Sequence, residues 1–269
     1  MSEAQPARAW TAAGWQPIEG DASGGRPPGR SPIGETLAAD SWLVVDGEVL
    51  ALDRHRLRFA DAVAEAGGDR LDALSAARQA MGLVPAGRWS PRLDLTPDGL
   101  RLRIRTPPPA GGTVDVVTAR RDPRTLPSRK GPDIAALAVL QEEETAHAGI
   151  AVEPVLVSPE GWVAESAWSA VLWWRGATLC VPDASIARVA SVTASVIVEL
   201  ARQDGIEVRE ERAAPADLDG CEVWLANALR GVRGVAAWHD GPAVGEPERA
   251  AAWHRRLAAL RTTPTGVRR

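Results

Sequence analysis

A run of three prolines followed by two glycines limits the fold of this chain more than any other stretch. The segment 106–112 reads Thr-Pro-Pro-Pro-Ala-Gly-Gly. Proline lacks a backbone N–H group and has a fixed φ, so three in succession cannot enter a helix or a central strand, whereas the glycines allow a change of direction. We therefore predict that residues 106–112 form a linker between two domains.

The linker divides the chain into a shorter and a longer part. We predict a small domain at 34–105 and a larger domain at 113–269, preceded by a flexible arm at 1–33 that is rich in Gly, Pro, Ala and Ser. Trp10 and Trp15 are the arm residues expected to contact the folded body. Predicted helices and strands are mixed without strict β-α-β alternation, which indicates an α+β fold with two domains.

Turn residues and hydrophobic periodicity predict the elements of each domain. In the small domain, two β-prone runs around Asp46-Gly47 predict a hairpin, and the alternation of Leu or Ile with Arg over 100–105 predicts a strand with one buried face. The predicted helices cover 54–66, 71–81, 133–147, 191–203 and 246–260. The predicted strands of the larger domain cover 113–118, 152–157, 162–165, 170–174, 178–181 and 222–226.

Composition and charge exclude several classes of protein. The apolar fraction of 45% and the charged fraction of 25% are typical of a soluble globular protein. A formal net charge of −4 gives no reason to expect a nucleic-acid partner, and apolar runs of about ten residues are too short for a membrane span. Cys180, Cys221 and the four histidines show no metal-ligand spacing. Because the first residues also lack a secretory signal pattern, we expect a cytoplasmic protein without a metal site.

One residue is distinguished by its type. Lys130 is the only lysine among the 31 lysine and arginine residues of the chain. A deprotonated primary amine can form an imine with a carbonyl group, whereas a guanidinium group cannot. The alternative is that a coding bias toward arginine left a single lysine by chance. Lys130 precedes Gly131-Pro132 and an apolar run that predicts a helix, which makes it the candidate for covalent chemistry.

Four further stretches could complete a site around this amine. Glu165 ends an apolar strand, where a carboxylate is either solvent-exposed or functional. The segment 191–193 opens a predicted helix, and its hydroxyl groups could cap the helix or its N–H groups could bind a phosphate. Arg58 could be a surface charge or a phosphate ligand, and Asn227 could be a simple turn residue. An amine, a carboxylate and a phosphate-binding helix start are the groups that pyridoxal phosphate requires.

Three segments resemble class IV (fold type IV) pyridoxal phosphate enzymes, and aminodeoxychorismate lyases above all. The segment 161–173, GWVAESAWSAVLW, is similar to the signature dG-x-v-x-E-x-x-x-x-N-l-f of that class. The segment 222–229, EVWLANAL, resembles the strand and Asn-Ala-Leu of the lyases, and 53–59, DRHRLRF, resembles the H-x-x-R-L helix. The resemblance covers approximately residues 38–240. It implies a two-domain α+β fold like that of D-amino-acid aminotransferase, with a smaller N-terminal and a larger C-terminal domain.

The resemblance also implies a role for each candidate residue. Lys130 would attach the cofactor covalently, and Glu165 would pair with its pyridine nitrogen. Ser41 stands where a hydroxyl group commonly faces the substrate in this family. The residues implied to hold the cofactor phosphate are Arg58, Val192, Thr193, Asn227 and Ala228. Enzymes of this kind are similar in forming homodimers, so a homodimer acting on a small-molecule substrate is expected.

Three hypotheses for the function follow from these residues. The first is a lyase that converts 4-amino-4-deoxychorismate to 4-aminobenzoate and pyruvate, and the absence of tyrosine favours it. The second is an aminotransferase acting between an amino acid and a 2-oxo acid, with Arg103 or Arg105 holding a substrate carboxylate. The third is a non-catalytic homologue, because Ala170 replaces the signature asparagine and the family's glycine and arginine are missing around Thr193. The second product, pyruvate or a new amino acid, discriminates between the first two.

Overall fold

The chain folds into two compact units. A computed structural model of the chain describes residues 5–18 and 35–264. Of the described residues, unit 1 comprises those within Met1–Pro108, Arg129–Ile134 and Leu260–Arg269, and unit 2 comprises those within Pro109–Ser128 and Ala135–Ala259. Each unit therefore contains segments that are distant in sequence, and the segment around Lys130 belongs to unit 1.

Unit 1 is an antiparallel sheet with two α-helices. Its strands are β1 (Arg8–Thr11), β2 (Gly14–Pro17), β3 (Ala38–Ser41), β4 (Val44–Val45), β5 (Glu48–Val49), β6 (Arg88–Thr96) and β7 (Gly99–Arg105). Its helices are α1 (Leu52–Glu65) and α2 (Arg70–Ala80), followed by a 3-10 turn at Met81–Leu83. The sheet has the order β2-β1-β7-β6-β4-β5, and β3 also pairs with β6. All of these pairs are antiparallel.

Local sequence signals account for the turns of unit 1. The predicted hairpin forms between β4 and β5, where Asp46 and Gly47 both have positive φ, 51° and 86°. Positive φ at both central residues is what a type I′ turn requires. Helix α1 stops before Gly67, which has φ 85° and suits a helix C-terminus. Helix α2 begins after Asp69, whose carboxylate accepts two backbone N–H groups of the first turn.

The flexible arm predicted for 1–33 is wrong for residues 8–17. These residues form β1 and β2, a hairpin whose first strand pairs with β7. Trp15 is buried and donates its Nε1–H to a backbone carbonyl of α2 at 3.0 Å. Trp10 contacts it edge-on, with ring centroids 5.3 Å apart. Two tryptophans bury enough apolar area to hold a short segment against the sheet. The Gly- and Pro-rich part at 24–30 lies outside the described residues.

Unit 2 is a mixed sheet with helices. Its strands are β8 (Thr113–Thr118), β9 (Glu153–Val157), β10 (Val163–Ser166), β11 (Ala170–Arg175), β12 (Thr178–Pro182), β13 (Val208–Glu211), β14 (Glu222–Asn227) and β15 (Gly231–His239). Its helices are α3 (Ile134–Ala148, whose first residue belongs to unit 1), α4 (Val192–Gln203) and α5 (Ala250–Ala259), with a 3-10 turn at Pro215–Leu218. The sheet has the order β10-β9-β8-β15-β14-β11-β12-β13. The pairs β12–β13, β15–β8 and β8–β9 are parallel.

Two strands of unit 2, β13 and β15, have no counterpart among the predicted strands, and β15 lies inside the sheet between β8 and β14. Strand β13 reads Val-Arg-Glu-Glu, with one β-branched residue and no aromatic residue, so its sequence gives little indication of a strand. It lies at the edge of the sheet beside β12, where charged side chains are common because they discourage further pairing. The other predicted elements are present with small shifts at their ends, although the last helix begins at Ala250 rather than at 246.

Each unit buries a core of its own. In unit 1 the helices and the sheet share a cluster that includes Trp42, Phe59 and Leu93. In unit 2 the corresponding cluster includes Trp173 and Leu225. The mixture of helices and sheets confirms the predicted α+β class. Among the described residues, no helix has the length and apolar character needed to cross a bilayer.

Candidate functional site

Lys130 lies in a turn that packs against strand β3 of unit 1. Its carbonyl accepts the N–H of Ala39 at 2.7 Å. The next residue, Gly131, has φ 141°, and a Cβ atom there would lie 2.7 Å from backbone atoms of Ala38. Because only glycine tolerates this conformation and this contact, the backbone is fixed against β3 immediately after the Lys130 side chain.

A buried charged cluster surrounds the neighbouring residue of β3. Asp40 is fully buried and accepts hydrogen bonds from Nε and Nη2 of Arg58, each at 2.7 Å. Its Oδ1 also lies 3.0 Å from Nδ1 of His55. Burial alone would raise the pKa of Asp40, but the charges and hydrogen bonds of Arg58 and His55 outweigh it and hold that pKa well below its ordinary value. Asp40 is therefore ionised.

His55 completes this cluster as a neutral group. Burial lowers the pKa of His55, Asp40 opposes that effect, and the positive charges of Arg58 and Lys130 lower the pKa further. A carboxylate can only accept, so the neutral imidazole donates its Nδ1–H to Asp40. The effect of Lys130 on His55 also shows that the cluster and the lysine share one electrostatic environment.

Arg58, predicted to hold a phosphate, has Asp40 as a partner. It lies on α1, and its side chain is 17% exposed. The two bonds to Asp40 use its Nε and Nη2 atoms. The phosphate role of Arg58 stays a prediction.

Ser41, Arg103 and Arg105 share one face of the unit 1 sheet. Ser41 on β3 pairs with Arg92 on β6, and Arg92 pairs with Arg103 on β7. Residues directly opposite each other project to the same side of a sheet. Arg105, two residues along β7, projects to that side as well. The structure thus brings together the three residues predicted to contact substrate, and it adds Arg92, which the sequence did not single out.

This face carries more positive than negative charge. Asp94 accepts hydrogen bonds from Nε of Arg92 at 2.7 Å and from Nη2 of Arg103 at 2.8 Å. The Nε atom of Arg105 is buried, and within the described part of the chain it has no hydrogen-bond partner. Burial, followed by the charges of Arg92 and Arg103, lowers the pKa of Arg105 to about 10. Among the described residues, the guanidinium groups of Arg92, Arg103 and Arg105 therefore lie around the one carboxylate of Asp94, an arrangement suited to binding a further carboxylate.

Glu165 in unit 2 is a paired carboxylate rather than a solvent-exposed strand end. It lies on β10, and its Oε1 accepts a hydrogen bond from Nη1 of Arg124 at 2.5 Å. Arg124 lies in the loop after β8, and its side chain is only 4% exposed. Burial would lower the pKa of Arg124, but the hydrogen bonds and charges of Asp122 and Glu165 outweigh it and raise that pKa. The sequence gives no signal that separates Arg124 from the other arginines, so it was missed.

The start of helix α4 provides a site suited to a phosphate. Ser191 is its N-cap, and the Ser191 hydroxyl accepts the N–H of Ala194 at 3.2 Å. Val192 and Thr193 are buried at the first two helical positions, whose N–H groups have no acceptor within a helix. The positive end of the helix dipole lies at the same place. Both alternatives from the sequence, a cap and an anion-binding helix start, are therefore compatible at this position.

Asn227 forms a turn at the end of β14. Its Nδ2 donates to Oγ of Ser169 at 2.9 Å. Its Oδ1 accepts the N–H groups of Leu229 and Arg230, at 3.0 and 2.8 Å. These bonds are typical of an asparagine that forms a turn, and Ala228 lies within that turn. Any contact of this segment with a phosphate stays a prediction.

The donor groups fit pyridoxal phosphate by their chemistry. A primary amine suits its aldehyde, a buried paired carboxylate suits its ring nitrogen, and N–H groups at a helix start suit its phosphate. The candidate site residues are divided between the two units. Those of unit 1 are Ser41, Arg58, Arg103, Arg105 and Lys130. Those of unit 2 are Glu165, Val192, Thr193, Asn227 and Ala228. Within 5–18 and 35–264, no group of three or more His, Cys, Asp or Glu residues could hold a metal ion.

Comparison with known sequences assigns the chain to a family. The sequence profile of the amino-transferase class IV family matches residues 37–238, which is well over half of the chain. No curated protein sequence matches it. The matched region includes the segments of both units that carry the candidate residues.

Solved structures of the same type superpose on most of the chain. A fold IV-transaminase from Curtobacterium pusillum has a TM-score of 0.71 at 18% identity, covering 94% of this chain and 96% of that one. An aminotransferase from Brucella abortus bound to the cofactor PLP has a TM-score of 0.70 at 17% identity, covering 95% and 100%. A candidate 4-amino-4-deoxychorismate lyase from Legionella pneumophila has a TM-score of 0.69 at 14% identity, covering 88% and 95%. At these identities the likeness shows the fold.

The family match and the superpositions agree. They confirm the two-domain α+β fold of fold type IV that the sequence predicted. They also confirm the predicted class of enzyme and its cofactor, pyridoxal phosphate. The chain belongs to the amino-transferase class IV family of pyridoxal phosphate-dependent enzymes.

Proposed function

We propose that the protein is a lyase that converts 4-amino-4-deoxychorismate to 4-aminobenzoate and pyruvate. The observation that carries this proposal is the placement of Lys130, the only lysine of the chain. The Ala39 N–H bond to its carbonyl and the contact of Gly131 with β3 fix the backbone from which its amine extends. An amine held in a defined position is what covalent attachment of the cofactor and proton transfer require.

Each remaining residue has a distinct task in this proposal. When bound, pyridoxal phosphate supplies a ring that withdraws electrons from the atoms attached to the substrate nitrogen. Lys130 attaches the cofactor and then moves a proton as the acid–base group. Glu165 holds a proton at the ring nitrogen. The phosphate is bound by Arg58, by the N–H groups of Val192 and Thr193, and by the Asn227-Ala228 segment.

The arginine-rich face of unit 1 is assigned to the substrate. The lyase substrate carries two carboxylates, and a face with surplus guanidinium groups suits such an anion. Arg103 and Arg105 supply this charge together with Arg92, because Asp94 neutralises only part of it. Ser41 lies in the same row as Arg92 and can donate its hydroxyl proton to a carboxylate.

A second candidate is an aminotransferase acting between an amino acid and a 2-oxo acid. The surplus positive charge around Arg105 favours an aminotransferase as much as a lyase, because both substrates of an aminotransferase carry a carboxylate next to the reacting carbon. The absence of tyrosine supports the lyase, because a tyrosine lines the site in many aminotransferases of class IV. A homologue that had lost catalysis would no longer need the amine or the carboxylate. Both Lys130 and Glu165 are present, which favours an active enzyme.

We also propose that the enzyme is a homodimer. Val139 on α3, Ile150 and Trp168 are 49%, 43% and 38% exposed. Trp168 is held against α3 by a hydrogen bond from its Nε1 to Gln141 at 3.1 Å. Exposed apolar side chains grouped on one unit are typical of an interface between copies. Light scattering of the purified protein should give twice the chain mass of 28.5 kDa, and Val139→Glu should shift it toward one chain mass.

The covalent step is tested with the cofactor alone. Protein incubated with pyridoxal phosphate should show an absorbance band at about 410–430 nm, the range expected for a cofactor attached to lysine. Borohydride should fix the cofactor to the peptide that contains Lys130. The variant Lys130→Ala should lack the band, and Arg129→Lys combined with Lys130→Ala should not restore it, although that variant keeps one lysine in the same turn. An equal band in either variant would overturn the role of Lys130.

The reaction is tested by its second product. Incubation with 4-amino-4-deoxychorismate should release pyruvate and 4-aminobenzoate in equal amounts without an added 2-oxo acid. Formation of a new amino acid, only when a 2-oxo acid is supplied, would replace the lyase by the aminotransferase. A bound cofactor with neither product across both substrate classes would favour the non-catalytic homologue.

A further inference from the structure

We propose that Arg124 is a positioning residue of the cofactor site that shares the Glu165 carboxylate and so weakens its hold on a proton at the ring nitrogen. This inference rests on the role proposed above for Glu165. Arg124 does not contact substrate in this proposal, and it acts only through Glu165.

The guanidinium group of Arg124 is held from two sides. Its Nε and Nη2 atoms donate to both carboxylate oxygens of Asp122, with distances from 2.6 to 3.1 Å. The backbone N–H of Arg124 also donates to Oδ1 of Asp122 at 3.0 Å. These bonds orient the planar group so that its third nitrogen, Nη1, meets Oε1 of Glu165 at 2.5 Å. A bidentate pair with a carboxylate fixes both position and plane, so the contact with Glu165 is built into the loop.

Burial makes this contact stronger than a surface ion pair. The Arg124 side chain is 4% exposed and that of Glu165 is 11% exposed. Charges interact more strongly when water is excluded, whereas an exposed ion pair is weakened by water and by dissolved ions. Three residues earlier in the same loop, Arg121 pairs with Glu143, and these side chains are 50% and 45% exposed. The loop thus offers a matched surface pair for comparison.

A second cation acts on the same carboxylate. Nη1 and Nη2 of Arg188 donate to the carbonyls of Asp183, Ile186 and Pro182. Burial lowers the pKa of Arg188, and the charge of Glu165 opposes that change. Arg124 and Arg188 both act on Glu165 in this way, and Asp122 acts through Arg124.

The consequence concerns the basicity of the carboxylate. A carboxylate that already accepts a guanidinium hydrogen bond is a weaker acceptor for another proton. Glu165 should therefore hold a proton at the cofactor's ring nitrogen less tightly than an isolated carboxylate would. That proton controls how strongly the ring withdraws electrons. Arg124 would therefore adjust the electron-withdrawing strength of the ring without touching any reacting atom.

The ring-nitrogen proton can be observed directly. We would load the protein with pyridoxal phosphate labelled with ¹⁵N in the ring and follow its ¹⁵N chemical shift against pH. In Arg124→Gln, the pH midpoint of the ring nitrogen should rise by about one unit or more relative to the wild type. In Asp122→Asn, Arg124 loses its neutralising partner, so the midpoint should fall. Two shifts of opposite sign are not expected from a loop that is merely disturbed.

Controls separate this inference from the proposed function. Arg121→Gln removes the exposed pair in the same loop and should leave the midpoint unchanged, and Arg124→Lys should stay near the wild type because it keeps the charge. If Glu165→Gln leaves the midpoint unchanged, the role of Glu165 fails. If Glu165→Gln moves it but Arg124→Gln and Asp122→Asn do not, only the inference about Arg124 fails. If Arg124→Gln does not bind the cofactor, Asp122→Asn alone tests the inference. A lower midpoint in Asp122→Asn supports the role of Arg124, and an unchanged midpoint contradicts it.

Discussion

Two buried aspartates in the unit 1 sheet lie in clusters that differ in net charge. Asp40 on β3 and Asp94 on β6 are 0% and 1% exposed. Asp40 meets one guanidinium group, that of Arg58, and a neutral imidazole. Asp94 meets two guanidinium groups, and Arg105 lies beside them with its Nε buried and unpaired among the described residues. The Asp40 cluster is therefore neutralised within the protein, whereas the Asp94 cluster carries surplus positive charge.

The difference shows how one sheet can hold charges for two purposes. A pair of opposite charges that neutralise each other holds neighbouring elements in register and leaves little net charge for a substrate carboxylate. A cluster with surplus charge lowers the stability of the fold, because like charges are desolvated together, and a bound anion relieves that cost. Strained or destabilised groups of this kind are common at functional sites. The Asp94 cluster is thus the candidate site for a substrate carboxylate, whereas the Asp40 cluster holds β3 to α1 and positions Arg58.

The largest effect is expected from breaking the Asp40 cluster. Asp40→Asn removes the carboxylate and leaves Arg58 buried without its charge partner. We expect the free energy of unfolding to fall by about 3–5 kcal/mol, measured by urea denaturation at pH 7. Asp98→Asn, which removes an exposed carboxylate on the same sheet, is the matched control and should change stability little. A loss below about 1 kcal/mol in Asp40→Asn would contradict the distinction between the two clusters.

The Asp40 cluster also predicts how stability depends on pH. The folded-state pKa of His55 lies below its ordinary 6.5, so the unfolded chain takes up a proton that the folded chain does not, and stability falls as the pH drops below 6.5. The folded-state pKa of Asp40 lies below 3.8, so its contribution is complete above that pH and is lost as the pH falls further. Denaturation at pH 7 and pH 5 should show a decrease for the wild type that His55→Gln reduces.

The surplus cluster should respond in the opposite direction. Arg105→Gln removes a guanidinium group whose lowered pKa, about 10, shows that its charged form is disfavoured in the folded state. We expect the free energy of unfolding to rise by about 1 kcal/mol, while KM for the carboxylate substrate rises about 10- to 100-fold because a charge-assisted bond is lost. Calorimetry and steady-state kinetics measure the two effects. Lower stability with unchanged KM would assign Arg105 a structural role.

A simple dicarboxylate should distinguish the two clusters by ligand binding. Succinate carries two carboxylates and no amine, so it can occupy the face around Arg103 and Arg105 without reacting. A ligand that binds only the folded state at about 100 times its Kd stabilises it by about 2.7 kcal/mol. The melting temperature of the wild type should therefore rise with succinate, whereas that of Arg105→Gln should rise much less. Equal shifts in both proteins would place the anion site elsewhere.

The smallest effect is expected from an arginine of the same strand that lies outside both clusters. Arg101 on β7 pairs with Asp98, whose side chain is 75% exposed. Exposed pairs contribute about 0–1 kcal/mol. Arg101→Gln should therefore change stability by less than about 0.5 kcal/mol and leave KM unchanged. A KM change as large as that of Arg105→Gln would extend the ligand site along the strand.

Local rules were sufficient for most of the elements. The hairpin at Asp46-Gly47 and the alternating strand at 100–105 follow from turn chemistry and from a period of two, which involve only neighbouring residues. The hairpin at 8–17 and strands β13 and β15 were missed because pairing with other segments stabilises them: β1 pairs with β7, β13 with β12, and β15 with β14 and β8. Their few β-prone residues, such as Trp10 and Val208, stand among Gly, Ala or charged residues and do not by themselves predict a strand.

The candidate site divides in the same way. By itself, the sequence determined the types of chemical group: one amine at Lys130, a carboxylate at Glu165, and a helix start at 191–193. These follow from residue type and from motifs within a few residues. Only the tertiary structure decided the partners, because charge pairing depends on distance in space and on burial. It paired Arg58 with Asp40, left Arg105 as surplus charge, and placed Arg124 on Glu165, 41 residues away in sequence.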